Sequence, residues 1–166
     1  MMQAFRTENN YRNASRLSAA ELRAAMASRE ILQSTALAFD TQRQLRFELG
    51  GCRAVMPFGQ CADGADTGSV RDIAVLTRVG RPTCFVIEGI DTDENGQPVY
   101  RLSRAEAQRM CKAEYLDQLQ PGDILPCIVT HIEPFGAFCD VGCGISALLS
   151  RRPSGLRKTI ACHNSL

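Results

Sequence analysis

The stretch "HIEPFGAFCDVG", His131–Gly142, carries two phenylalanines three residues apart in what otherwise reads as a β-strand. Exposed aromatic rings on a strand face stack on flat unsaturated partners such as nucleobases, at about 1–3 kcal/mol per base. Strand side chains alternate with a period of two, so Phe135 and Phe138 should face opposite ways. A bulge at Gly136-Ala137 would insert one extra residue and return both rings to one face. The competing reading is that one or both rings close a core. His131, in the preceding strand, is a candidate assistant. A basic run follows in "SRRPSGLRKTIACHNSL", where Arg151, Arg152, Arg157 and Lys158 have the charge for salt-sensitive contacts with phosphate.

The remaining reactive types carry less. Eight cysteines occur and none forms a C-x-x-C pair. Cys139, Cys143, Cys162 and His163 are legitimate zinc-ligand types, but their spacing is loose, and small buried thiols are the simpler reading. Cys52 follows two glycines without a nearby histidine. No phosphate-cradling glycine loop, nucleophile elbow or paired catalytic motif is present, so neither an enzyme, a cofactor nor a metal is expected. The N-terminal segment lacks an apolar signal region, which points to a cytoplasmic protein without a disulfide framework.

Net charge is +1 over 166 residues, too little for a general attraction to nucleic acid. Residues 1–30 carry +2, residues 31–120 carry −2 and residues 121–166 carry +1, all four basic groups of the last segment lying after residue 150. Arginine outnumbers lysine 17 to 2, which favours planar stacking contacts over point charges.

These residues need elements to hold them. "SAAE" and "SRAE" are twin capping boxes, predicting helices that start after Ser18 and Ser103; the second runs to Pro121-Gly122. Between them "EILQSTALAFD", "QLRFELGG", "CRAVMPF", "RDIAVLTRV", "TCFVIEGI" and "VYRLS" read as strands, and after Gly122 "DILPCIVTHIE", "FGAFCDVG" and "ISALL" do so again. "FELGGCRAVMPF" (47–58) overlays "CDVGCGISALLS" (139–150) at constant offset, a weak internal repeat. It puts Arg43 and Arg46 where Phe135 and Phe138 stand, and Phe58 where Ser150 stands. Those arginines suit phosphate contact, stacking or a protein-docking surface.

"PGDILPCIVTHIEPFGAFCDVGCGISALL" resembles the opening of the S-one-type RNA-binding domain, named for the large protein of the bacterial small ribosomal subunit. The resemblance rests on Gly122-Asp123, Ile128-Val129-Thr130, Phe135-Gly136-Ala137-Phe138, Asp140, Gly142 and Ala147-Leu148-Leu149. It implies a mainly β chain with helices, built as two small five-stranded OB-fold barrels joined by a helix, the first divergent and the second incomplete. The expected organisation is a tail and helix (1–28), a divergent barrel (29–102), a connecting helix (103–120), the start of a second barrel (121–150) and a basic tail (151–166). The second barrel reads as cut short, by a frameshift or early stop. The family often has a histidine in a "G-L-L-H" strand where this chain has "ALLS". The resemblance implies non-catalytic binding of single-stranded RNA linked to translation, with the ribosome or its proteins as further partners. The alternative is a ribosome-docking module whose second barrel no longer binds RNA.

Overall fold

The structure is a computed structural model that describes residues 4–151 and the backbone of residues 161–162. Its elements in chain order begin with β1 (Arg12–Asn13), α1 (Ala19–Ser28), β2 (Leu32–Thr35) and β3 (Ala38–Phe39). β4 (Gln44–Leu49), β5 (Cys52–Pro57), α2 (Asp72–Leu76), β6 (Pro82–Thr92) and β7 (Pro98–Ser103) follow. Then come α3 (Arg104–Glu114), β8 (Pro126–Glu133), β9 (Gly136–Asp140), β10 (Ser146–Ser150) and β11 (Ala161–Cys162). The chain is mainly β.

Both predicted capping signals act at helix starts, but only the first closes as a full box, since the Glu106 carboxylate is taken by Arg29 and Arg109. α3 ends at Glu114, short of the Pro121-Gly122 stop expected for it. Ser18 accepts from the Glu21 amide while the Glu21 carboxylate takes the Ser18 amide, and Ser103 accepts from the Glu106 amide. α1 stops at Arg29, whose φ of 56° is left-handed.

Seven strands form one sheet in the order β1-β2-β6-β7-β5-β4-β3. β2 and β3 pair with β6 and β4 respectively, far apart in that order, yet only Ala36 and Leu37 separate them in sequence. The segment expected as one strand therefore changes partners midway, and the sheet curls back on itself. β5 and β7 pair in parallel. The alternation "QLRFEL" sends Leu45, Phe47 and Leu49 inward, where they meet Met56, Phe85, Tyr100 and Leu102 and are sealed by Leu22 and Ala25 of α1.

One expected strand is a helix. "RDIAVLTRV" forms α2, with Asp72 in its first turn and only Val75 buried against the core. Ile73 and Leu76 are exposed, so the apolar run that mimics a strand is not used as one. Periodicity does not separate short apolar strands from short helices.

The second sheet has the order β10-β9-β8-β11. The fragment "KTIAC" contributes β11, which runs parallel to β8 at Pro126–Cys127. Inward residues Cys127, Cys139 and Val141 form a small core with Val129, Ala137, Ala147 and Leu149. Among the described residues no helix is long and apolar enough to cross a membrane.

The N-terminal segment, expected as a tail, is instead mortar between the sheets. Glu8 is buried, and its carboxylate takes Arg104 Nε at 2.7 Å and Nη2 at 2.9 Å from the start of α3. It also takes the Cys84 amide of β6 at 3.0 Å, and it pairs with Arg78 at 3.1 Å. The Glu8 amide donates to Asp140 Oδ2 of β9 at 2.7 Å, and the Cys143 amide donates to the Arg6 carbonyl at 2.9 Å. Burial alone would raise the Glu8 carboxyl, but Arg104 and then Arg78 outweigh it, and its pKa lies below the usual carboxylate value.

Candidate nucleic-acid interface

Phe135, Phe138 and His131 come together on the outer face of the second sheet. Phe138 lies at the centre of β9, a strand whose even-numbered residues point away from the small core. The Phe135 ring meets the Phe138 ring edge to face at 6.1 Å and 89°. The His131 ring lies nearly parallel to Phe138, 6.3 Å away and tilted by 23°. Phe135 is 55% exposed.

The device that gathers them differs from the expected bulge at Gly136-Ala137. β9 is regular from Gly136 onward, and the irregularity sits opposite, on β8. Val129 faces Cys139 while His131 faces Phe138, leaving Thr130 as the extra residue. The bulge therefore turns His131 outward, because alternation past it slips by one. Phe135 needs no bulge: it lies in the Pro134-Phe135 turn, between Glu133 and Gly136, where strand alternation does not bind it. Gly136 has another role. A Cβ there would run into the Leu149 carbonyl oxygen, so glycine permits the close approach of β10.

Sequence reasoning missed Leu148. It sits opposite Phe138 on β10, it is 48% exposed, and it extends the outward row to His131–Phe138–Leu148. The signal was available in "ALLS", where Ala147 and Leu149 pack inward and leave Leu148 facing out. His131 is anchored from the side, with its Nε2 2.5 Å from Glu133 Oε1.

Arg151 follows β10 and is exposed, and its amide donates to the Phe135 carbonyl at 2.9 Å. With Pro134 and Ser150 it lines an open hollow beside the Phe135 ring. Arg152, Arg157 and Lys158 lie outside the described residues.

The first-unit candidates are brought together but occupied. The Arg43 guanidinium lies 4.3 Å over the Phe58 ring and pairs with Asp72 at 2.7 Å, while Arg46 pairs with Asp40 at 2.8 Å. The repeat also needs a correction. In the first hairpin the Phe58 amide donates to the Arg43 carbonyl, as the Arg151 amide does to Phe135. The structural equivalent of Phe58 is thus Arg151 and not Ser150, because the turn after β9 is longer and shifts the register by one.

The two candidate zinc ligands whose side chains are described fall in different clusters. Cys139 lies in the second sheet's small core, and Cys143 packs with Cys84 and Cys111 under α3. Cys162 and His163 have side chains outside the described residues. Among the described residues no group of three or more His, Cys, Asp or Glu is placed to hold a metal ion. Contact with Cys111, together with burial, pushes the Cys143 thiol up to about 12, and burial does the same to Cys61. Such thiols are protonated and weakly nucleophilic at neutral pH. No family model matches this chain, and none of the curated proteins does.

Proposed function

We propose that the chain is a non-catalytic binder of single-stranded RNA linked to translation, with the His131–Phe138–Phe135 patch as its stacking face. The observation that carries this reading is the outward clustering of three rings, from β8, the turn after it and β9, beside Leu148 and Arg151. Buried rings would serve a core, whereas these lie on the face opposite it and leave Phe135 more than half exposed. Base stacking tolerates any sequence, and Arg151 adds a cation beside the Phe135 ring.

The barrel reading draws support from the first sheet. Its strands run round from β2 through β6, β7, β5 and β4 to β3, with one parallel pair, as a five-stranded OB barrel requires if β2 and β3 count as one bent strand. The second unit reads as a partial copy of the same plan, β8, β9 and β10 standing for β2/β3, β4 and β5.

Fluorescence anisotropy of labelled octauridylate, at two salt concentrations, tests the function. The wild-type chain is expected to bind saturably, and the Phe135→Ala/Phe138→Ala variant to lose at least about tenfold in affinity. Equal affinity of the two chains, or no binding by the wild type, rejects the reading in favour of a protein-docking module.

A further inference from the structure

The outer face that carries Phe138 continues past its aromatic row. Two residues along the strands, about 7 Å away, the next outward row is Ile128, Asp140 and Ser146. There the face meets a cleft of about 330 Å³ whose far wall comes from the first unit, through Arg78, Arg81 and Pro82, with Asn9 at its rim.

The charges of this cleft do not cancel. Its lining holds three arginines, Arg78, Arg81 and Arg104, against two carboxylates, Glu8 and Asp140. Glu8 is held between Arg104 and Arg78. Asp140 accepts from the backbone amides of Glu8, Gly142 and Gly144 at 2.7–3.0 Å. Both acids are therefore occupied, while Arg81 is exposed and makes no ion pair among the described residues. The polar neighbours are neutral: Asn9, Thr130 on the bulge, and Ser146. An excess cation in a concave polar site selects an anion.

We propose that this cleft takes the phosphodiester adjoining the nucleotide stacked on Phe138, with the Arg81 guanidinium as its cationic contact. The inference rests on the RNA-binding reading above and deepens it. The binding track would cross from the second unit to the first, so the two units together, and not the second sheet alone, would set the length of strand bound. The separation between the aromatic row and the cleft is comparable with one extended nucleotide step.

The test uses the full chain and 5′-labelled octauridylate over a salt series. Arg81→Ala is compared with Arg23→Ala, an exposed arginine on α1, and with Phe138→Ala. Loss of one phosphate contact is expected to flatten the slope of log affinity against log salt by about 0.7. At low salt the affinity is expected to fall about three- to fivefold. Arg23→Ala is expected to leave both unchanged, and Arg81→Glu to exceed Arg81→Ala. A second probe has the same bases joined by neutral methylphosphonate linkages; on it Arg81→Ala should have no effect while Phe138→Ala still weakens binding. If Phe138→Ala weakens octauridylate binding but Arg81→Ala leaves the salt slope unchanged, or matches Arg23→Ala, the cleft is not a phosphate site and the stacking face stands. If Phe138→Ala binds as the wild type does, the stacking face itself fails, and the cleft assignment fails with it.

Discussion

The β4–β5 and β9–β10 hairpins share one backbone plan and carry opposite chemistry. Each is preceded by a turn residue whose carbonyl accepts the amide that follows the second strand: Arg43 from Phe58, and Phe135 from Arg151, both at 2.9 Å. Cation and ring have exchanged places. In the first hairpin the arginine lies over the ring and reaches Asp72, so both groups are taken up internally. Further along β4 Arg46 is held by Asp40, whereas its counterpart Phe138 lies against the rings of His131 and Phe135 and opposite Leu148. In the first hairpin the outward side chains are paired with one another, and in the second they form an apolar, partly exposed row. The difference lies in which side chains have partners, since the backbone plan is shared.

The largest expected effect comes from Glu8, which joins the hairpin that looks like a binder to the unit that does not. Glu8→Gln leaves the buried Arg104 guanidinium and the half-buried Arg78 guanidinium facing a neutral group and should cost about 3–5 kcal/mol. Urea unfolding would read it, and a loss below about 1 kcal/mol would show that the pair contributes little. The pH dependence has a definite sign. The folded-state pKa of Glu8 is depressed, so its stabilisation is complete above the ordinary carboxylate value of 4.5 and is lost as pH falls through the folded value. Asp140 behaves oppositely: burial raises its pKa, so its cost at neutral pH is relieved as pH falls through that raised value.

The turns of the two hairpins give the next contrast. Gly51 sits at a φ of 80° with open space around a would-be Cβ, so Gly51→Ala should cost only the left-handed penalty, about 1–2 kcal/mol. Gly144, at 74°, has Glu8 Oε1 2.5 Å from that position and the Arg104 guanidinium nearer still. Gly144→Ala adds overpacking to the same backbone penalty and should cost about 2–4 kcal/mol. Equal losses on thermal unfolding would mean that the longer turn does not lean on the buried ion pair.

How much of this was legible in the sequence follows from the range of each interaction. The Ser18 capping box, the Ser103 cap and the alternation of Leu45, Phe47 and Leu49 are local, and these elements start where they were expected. The aromatic pair was legible as a pair, but its bulge was not, because a bulge belongs to two strands and only one carries the conspicuous residues. The internal repeat concealed its own slip, since the five residues 141–145 replace the four residues 49–52 without disturbing the apolar pattern. Glu8 gave no signal. Its role depends on contacts with residues up to 132 positions away in sequence, and "RTENNYRN" reads as any polar tail.

Single substitutions at the equivalent outward positions test the contrast on binding. Phe138→Ala should lose about 1–3 kcal/mol of affinity for octauridylate, whereas Arg46→Ala should change it less than about twofold. A loss at Arg46 as large as that at Phe138 would mean that the first hairpin also carries RNA, with Asp40 failing to occupy its arginine.

The smallest effect should come from Arg43, and it bears on why the first face is closed. Arg43→Ala removes a cation from the Phe58 ring and breaks the pair with Asp72, both at the surface. Exposed cation–π contacts and exposed ion pairs each contribute up to about 1 kcal/mol, so a loss of about 0.5–1.5 kcal/mol in stability is expected. The φ of 59° at Arg43 falls on alanine as it did on arginine, so the backbone cost largely cancels. What changes is the ring: Phe58 loses its cover. If internal pairing is what keeps this hairpin from binding, Arg43→Ala should gain a weak affinity for octauridylate when Phe135 and Phe138 are both alanine. If that triple variant binds no better than the double variant, uncovering a ring is not enough. The binding face would then require the second unit's particular arrangement, with Phe138 held between two other rings and next to Leu148.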